Sequence, residues 1–155
     1  MFQHKSFRYL LISAASAAVC TVSASALAAS AAEEPEEKLL LGAGGLISSY
    51  YVKCSAGEHK ITVSGRTVGP KELAEIGMQD IEVQRSANGE DGWVCYAALG
   101  DRIGENVSYY YLQPVDIAVG TGYYRVVLTH YAKEKGWFFP KKQYVTQNSV
   151  TVHVS

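Results

Sequence analysis

Tyr123-Tyr124-Arg125-Val126-Val127-Leu128-Thr129-His130-Tyr131-Ala132 is the longest alternating run in the chain. On an extended backbone Tyr124, Val126, Leu128 and His130 share one side. Tyr123, Arg125, Val127, Thr129 and Tyr131 share the other. A helix would scatter these apolar side chains around its axis, whereas a strand collects them on a face. Gly120-Thr121-Gly122 opens the run as a turn.

The same grammar extends in both directions. Downstream, a loop at Lys133–Lys142 leads to a last strand, Gln143 to Val154, with Val150, Val152 and Val154 on one side. Upstream, Asn106 to Gln113 is a strand carrying Tyr109, Tyr110 and Tyr111, preceded by a loop at Gly100–Glu105. Trp93 to Leu99 and Asp80 to Arg85 form a hairpin around Asn88-Gly89, because both turn residues tolerate positive φ. Lys60 to Val68 alternates Ile61, Val63 and Gly65 against Thr62, Ser64 and Arg66, and the turn Ser55–Glu58 joins it to a strand over Ile47–Cys54. Only Pro70–Ile76 has helix chemistry: Pro70 suits a first helical position, Gly77 suits a stop, and the stretch predicts one short helical turn. About seven short strands with no strand–helix–strand rhythm predict an all-β, antiparallel β-sandwich.

The N-terminal region predicts export. Residues 1–8 carry His4, Lys5 and Arg8 and no acid, and an alanine-rich apolar run follows from Tyr9 to Ala32. Ala26-Leu27-Ala28 and Ala29-Ser30-Ala31 offer small residues for cleavage near Ala28–Ala32, so residues 1–31 read as a secretory signal peptide. A retained membrane anchor fits less well, since Ser13, Ser16, Thr21, Ser23 and Ser25 dilute the run. Cys20 lacks the preceding residues of a lipoprotein signal. Residues 32–45 form an acidic and glycine-rich leader, with Glu33-Glu34-Pro35-Glu36-Glu37 followed by Gly42-Ala43-Gly44-Gly45. Residues 46–155 are the folded domain.

The full chain has 155 residues and a net charge of −1, and loss of Lys5 and Arg8 leaves 12 basic against 15 acidic residues. Nothing in that balance points to nucleic acid. Membrane contact is expected only through the signal peptide. After cleavage Cys54 and Cys95 remain. An even count in a small secreted domain suggests a disulfide, and two free thiols are the alternative.

Gly77–Trp93, with Val83-Gln84-Arg85-Ser86 before Asn88-Gly89 and then Trp93, resembles the middle hairpin of fibronectin type III-like domains. Gly122-Tyr123-Tyr124-Arg125-Val126 resembles the penultimate strand of that fold, and Ser149–Val154 its last. The resemblance implies an immunoglobulin/fibronectin type III-like sandwich over about residues 60–155. The helical turn at 70–76 and a Cys54–Cys95 bridge depart from the family pattern. The chain as a whole, including Thr129–Trp137, is similar to small secreted proteins of gut Gram-positive bacteria. That similarity implies fold and export, and carries no chemistry.

No catalytic or cofactor-binding pattern emerges. His59, His130 and His153 lie outside any Gly-x-Ser-x-Gly, His-Glu-x-x-His or Cys-x-x-Cys context. His130 reads as a partly buried, hydrogen-bonded strand residue. Asn88, Glu90 and Asp91, and Asp101 with Glu105, read as turns and match no EF-hand loop. No metal or cofactor is expected, and the chain reads as non-enzymatic.

Lys133-Glu134-Lys135-Gly136-Trp137-Phe138-Phe139-Pro140-Lys141-Lys142 is the candidate site. Trp137, Phe138 and Phe139 sit in a hairpin loop flanked by Lys133, Lys135, Lys141 and Lys142. Large apolar side chains at a loop tip cost solubility unless they are covered or used. Folding back to plug the end of the sandwich is the plain alternative for one ring. Used, they would anchor an unidentified protein or glycan at the cell surface. Tyr50/Tyr51, Tyr109–Tyr111 and Tyr123/Tyr124 place rings on both faces of the sheet, so the outward half would serve a carbohydrate-binding module. A structural exported protein without ligand is the remaining reading.

Overall fold

The computed structural model describes residues 37–39 and 44–155. The expected signal segment 1–31, and leader residues 32–36 and 40–43, lie outside the described residues. Strands β1 (Lys38–Leu39), β2 (Ser49–Gly57), β3 (Lys60–Ser86), β4 (Val94–Ala118), β5 (Gly122–Lys133), β6 (Lys142–Asn148) and β7 (Val152–Val154) make up the fold. All pair antiparallel, and hydrogen bonding runs through all seven as one sheet.

β3 organises this sheet. β4 follows one of its edges over nearly its full length, from Lys60↔Ala118 to Arg85↔Val94. The other edge is shared: β2 takes 49–57 against 60–68, and β5 takes Glu75 to Ser86. β5 in turn carries β6 and β7 on its far edge. Between the two halves the chain bends. Val68 pairs with Tyr109 and Leu73 with Val107, so residues 69–72 of β3 oppose only Ser108. That bulge folds the sheet across itself and brings β2 against β5, β6 and β7.

The bulge replaces the helical turn expected at Pro70–Ile76, and no helix occurs among the described residues. Pro70 has no N–H to give a ladder, so it is placed in an exposed bulge where none is needed. Seven residues are too few for a helix to offset its nucleation cost by packing. Leu73 and Ile76 are instead fully buried from β3. The loop expected at Gly100–Glu105 is also strand, and its turn residues are spent on local kinks. Gly100 and Asn106 both adopt positive φ within β4. Opposite the Gly100–Arg102 segment, Asp80, at φ 50°, bulges out of β3 and donates its N–H to the Asp101 carboxylate at 3.0 Å. Two separate stacked sheets are therefore not what forms: one bent sheet supplies both layers.

The alternation read from Tyr123–Ala132 holds as far as His130, after which Tyr131 and Ala132 are both buried. Tyr124, Val126, Leu128 and His130 are all buried. With Val52, Cys54, Ile61, Val63, Met78, Ile81, Val83, Leu112 and Val154 the apolar members form the main core inside the curl. Each such side chain contributes about 1.5–3 kcal/mol of burial. A second cluster, Leu46, Ile47, Tyr50, Leu73, Ile76 and Ala132, fills the bend. It is closed by Gln143, whose Oε1 accepts from Leu46 N–H at 2.5 Å and Ile47 N–H at 3.1 Å.

The cysteines do not bridge. Cys54 faces the core from β2, and Cys95 is exposed on β4 beside the irregularity between Val83 and Gln84. Burial pushes the Cys54 thiol up to about 12.

Candidate functional site: an aromatic tip on the β5–β6 hairpin

The β5–β6 ladder ends at Lys133↔Lys142, and the Glu134 N–H donates to the Lys141 carbonyl at 2.9 Å just beyond it. The chain then leaves the sheet. Trp137, Phe138 and Phe139 are 99%, 87% and 98% exposed. At those values no ring lies over the domain and none covers its neighbour. Phe139 takes a left-handed φ of 47°, which reverses the chain without a glycine at that position. The fold-back alternative therefore does not hold for any of the three. Covering one ring would gain about 1.5–3 kcal/mol, and the loop forgoes that gain three times.

The base of the loop is fastened. Lys133 Nζ lies 2.5 Å from Glu75 Oε1, and Tyr131 Oη donates to Glu75 Oε2 at 2.8 Å. The hydrogen bond from Lys133, then that from Tyr131, holds the Glu75 carboxyl below its usual range. Burial, reinforced by Glu75, pushes the Tyr131 phenol up. Lys135 pairs with Glu72, Lys71 Nζ with Glu134 Oε1 at 2.7 Å, and Lys141 Nζ donates to the Gly44 carbonyl at 2.5 Å. Contacts this exposed are weak singly, and together they bias the base without locking the tip. Glu72 and Glu75 belong to the stretch read as helical from sequence. Their part at the site was hidden because the pairing joins residues some sixty positions apart. A shallow depression lined by Leu46, Pro70, Lys71, Glu134 and Lys141 lies beside this base.

The tyrosines divide by face. Tyr50, Tyr124 and Tyr131 are buried, and Tyr96, Tyr109, Tyr111 and Tyr144 are exposed. Tyr51, Arg66 and Tyr111 stand in register on the outer face, with Tyr109 two residues from Tyr111. Trp93 lies under Arg125, whose guanidinium carbon is 4.2 Å from its ring centre, and its Nε1 donates to the Glu90 carbonyl at 3.2 Å.

The histidines and the Asn88 loop lie apart from this hairpin tip. His130 is fully buried, with Nδ1 2.7 Å from Thr67 Oγ1, Nε2 3.0 Å from Gln147 Oε1 and the Tyr50 ring centre 4.7 Å away. His59 sits in the β2–β3 turn at φ 52°, and His153 packs on Tyr123 at 4.5 Å. The Asn88 carboxamide accepts from the N–H groups of Glu90 and Asp91 and donates to the Asp91 carboxylate at 2.6 Å, so that loop is an Asx-type turn. Among the described residues no three His, Cys, Asp or Glu side chains converge to hold a metal.

Compared with known proteins, the chain matches no family model, no curated protein and no solved structure.

Proposed function

We propose that the mature chain is an exported, non-enzymatic binding module that engages a cell-surface or extracellular partner through Trp137, Phe138 and Phe139. The supporting observation is the near-complete exposure of all three rings on a hairpin whose base is tied to β3. Aromatic anchors with few rotatable bonds lose little entropy on binding and bury large areas. The bent antiparallel sheet acts as the support that holds this loop out into solvent. Export by a signal peptide at 1–31 places it where such a partner is met.

Co-sedimentation with isolated envelopes of the source cells tests the reading. The parent chain is expected in the pellet, and a Trp137→Ser/Phe138→Ser/Phe139→Ser chain of unchanged melting temperature is expected in the supernatant. Equal sedimentation of the two would overturn it. Exposed Tyr109 and Tyr111, with half-buried Tyr51 beside Arg66, support a second reading, a carbohydrate-binding module on the outer face. Glycan-array binding retained by the triple variant and lost on Tyr111→Ala would favour it. Absence of any binding would favour a structural exported protein.

A further inference from the structure

The shape of the tip bears on what it meets. A protein pocket complementary to one ring leaves the others wet, and here three almost fully exposed rings stand on consecutive residues that end at the left-handed Phe139. A lipid interface needs no preformed complement. It yields around each ring, and Trp and Phe partition into the zone between headgroups and acyl chains. The polar surroundings are arranged to match. Lys135 and Lys141 flank the rings on either side, and Lys133 and Lys142 close the hairpin below them. Long ammonium side chains behind inserted rings reach the headgroup level. Lys71, Lys133, Lys135, Lys141 and Lys142 face Glu72, Glu75, Glu134 and, across β3, Glu105, so the rim carries a surplus of one positive charge. The apolar contribution therefore dominates, with a mild preference for anionic headgroups.

We infer that the tip inserts into the interfacial layer of a lipid bilayer, rings first, with the lysines at headgroup level. This rests on the reading of the loop as the binding element, and names its partner. It extends membrane contact beyond the passage of the signal peptide.

The test uses the mature chain carrying Trp93→Phe, so that Trp137 is its single indole, with vesicles of phosphatidylcholine alone or mixed with phosphatidylglycerol. Flotation with the vesicles and a blue shift of Trp137 emission are expected, stronger by a few-fold for the mixed vesicles. Replacing the three rings by Ser should lower partitioning on the order of a hundredfold. No flotation and no shift with either vesicle, or flotation unaffected by the Ser replacements, would overturn the inference. Equal binding to both vesicles would remove the headgroup preference. Envelopes stripped of lipid separate the two readings. Ring-dependent binding to stripped envelopes sinks the lipid inference and leaves the binding reading standing. Ring-independent binding to intact envelopes sinks both.

Discussion

His130 shows how a single residue on the decisive strand is both legible and constrained. Its place in the alternation assigns it to the core face, and the structure buries it completely. Both ring nitrogens have a polar neighbour, Thr67 Oγ1 at Nδ1 and Gln147 Oε1 at Nε2, and the Thr67 hydroxyl also donates to the Gly77 carbonyl at 3.0 Å. A second proton would have to be held without solvent, so burial pulls its pKa from 6.5 down to about 4. The unfolded chain then binds that proton more readily, and stability falls as pH drops through the window between 6.5 and 4. Urea midpoints at pH 7 and pH 5 should differ by an amount equivalent to about 2 kcal/mol. The lowered carboxyls of Glu75, Asp116 and Glu134 ionise below that comparison and add little to it. His130→Gln should be less stable at pH 7 and should lack the difference. An unchanged pH dependence would show that His130 is not the group responsible.

Glycines separate in the same way. A Cβ at Gly77 would stand 2.0 Å from the Arg102 carbonyl oxygen and 2.8 Å from the Ile103 Cα, both backbone atoms of β4. Gly77→Ala should therefore cost about 3 kcal/mol by forcing β3 and β4 apart. Nothing lies within 4 Å of a Cβ at Gly120, and Gly120→Ala should be neutral or stabilise by about 0.5 kcal/mol. Denaturant melts of the two variants check the contrast, and similar effects for both would contradict the placement of Gly77 against β4.

At the scale of elements, β3 and β4 explain where sequence reading stops. Their alternating segments, Lys60–Val68 and Asn106–Gln113, are strands as expected. Between them Pro70, Asp80, Gly100, Asp101 and Asn106 carry turn chemistry, and turn chemistry does not say whether a chain reverses or kinks. Here it kinks, since a partner strand continues on the far side of each irregularity. The seven-residue Pro70–Ile76 pattern fails as a helix for the same reason: its apolar pair is claimed by the bend between the two halves of the sheet. Cysteine parity was equally silent on distance, and the thiols end up in different environments. Alkylation of the mature chain under native conditions should label Cys95 rapidly and Cys54 only after denaturation, with two labelled thiols in total. No free thiol under denaturing, non-reducing conditions would restore the bridge.

For the whole molecule, the β5–β6 loop was legible because three large aromatics cannot be absorbed by a short connection. Its fastening was not, because Glu72 and Glu75 reach it only through the fold. The account depends on those rings standing in water when nothing is bound. Acrylamide quenching of Trp137 fluorescence in the Trp93→Phe chain tests this most directly. The predicted result is emission near that of free indole in water, with quenching close to that of a small exposed tryptophan peptide. Blue-shifted, poorly quenched emission from the isolated chain would mean that the domain buries the ring itself, and would contradict the account.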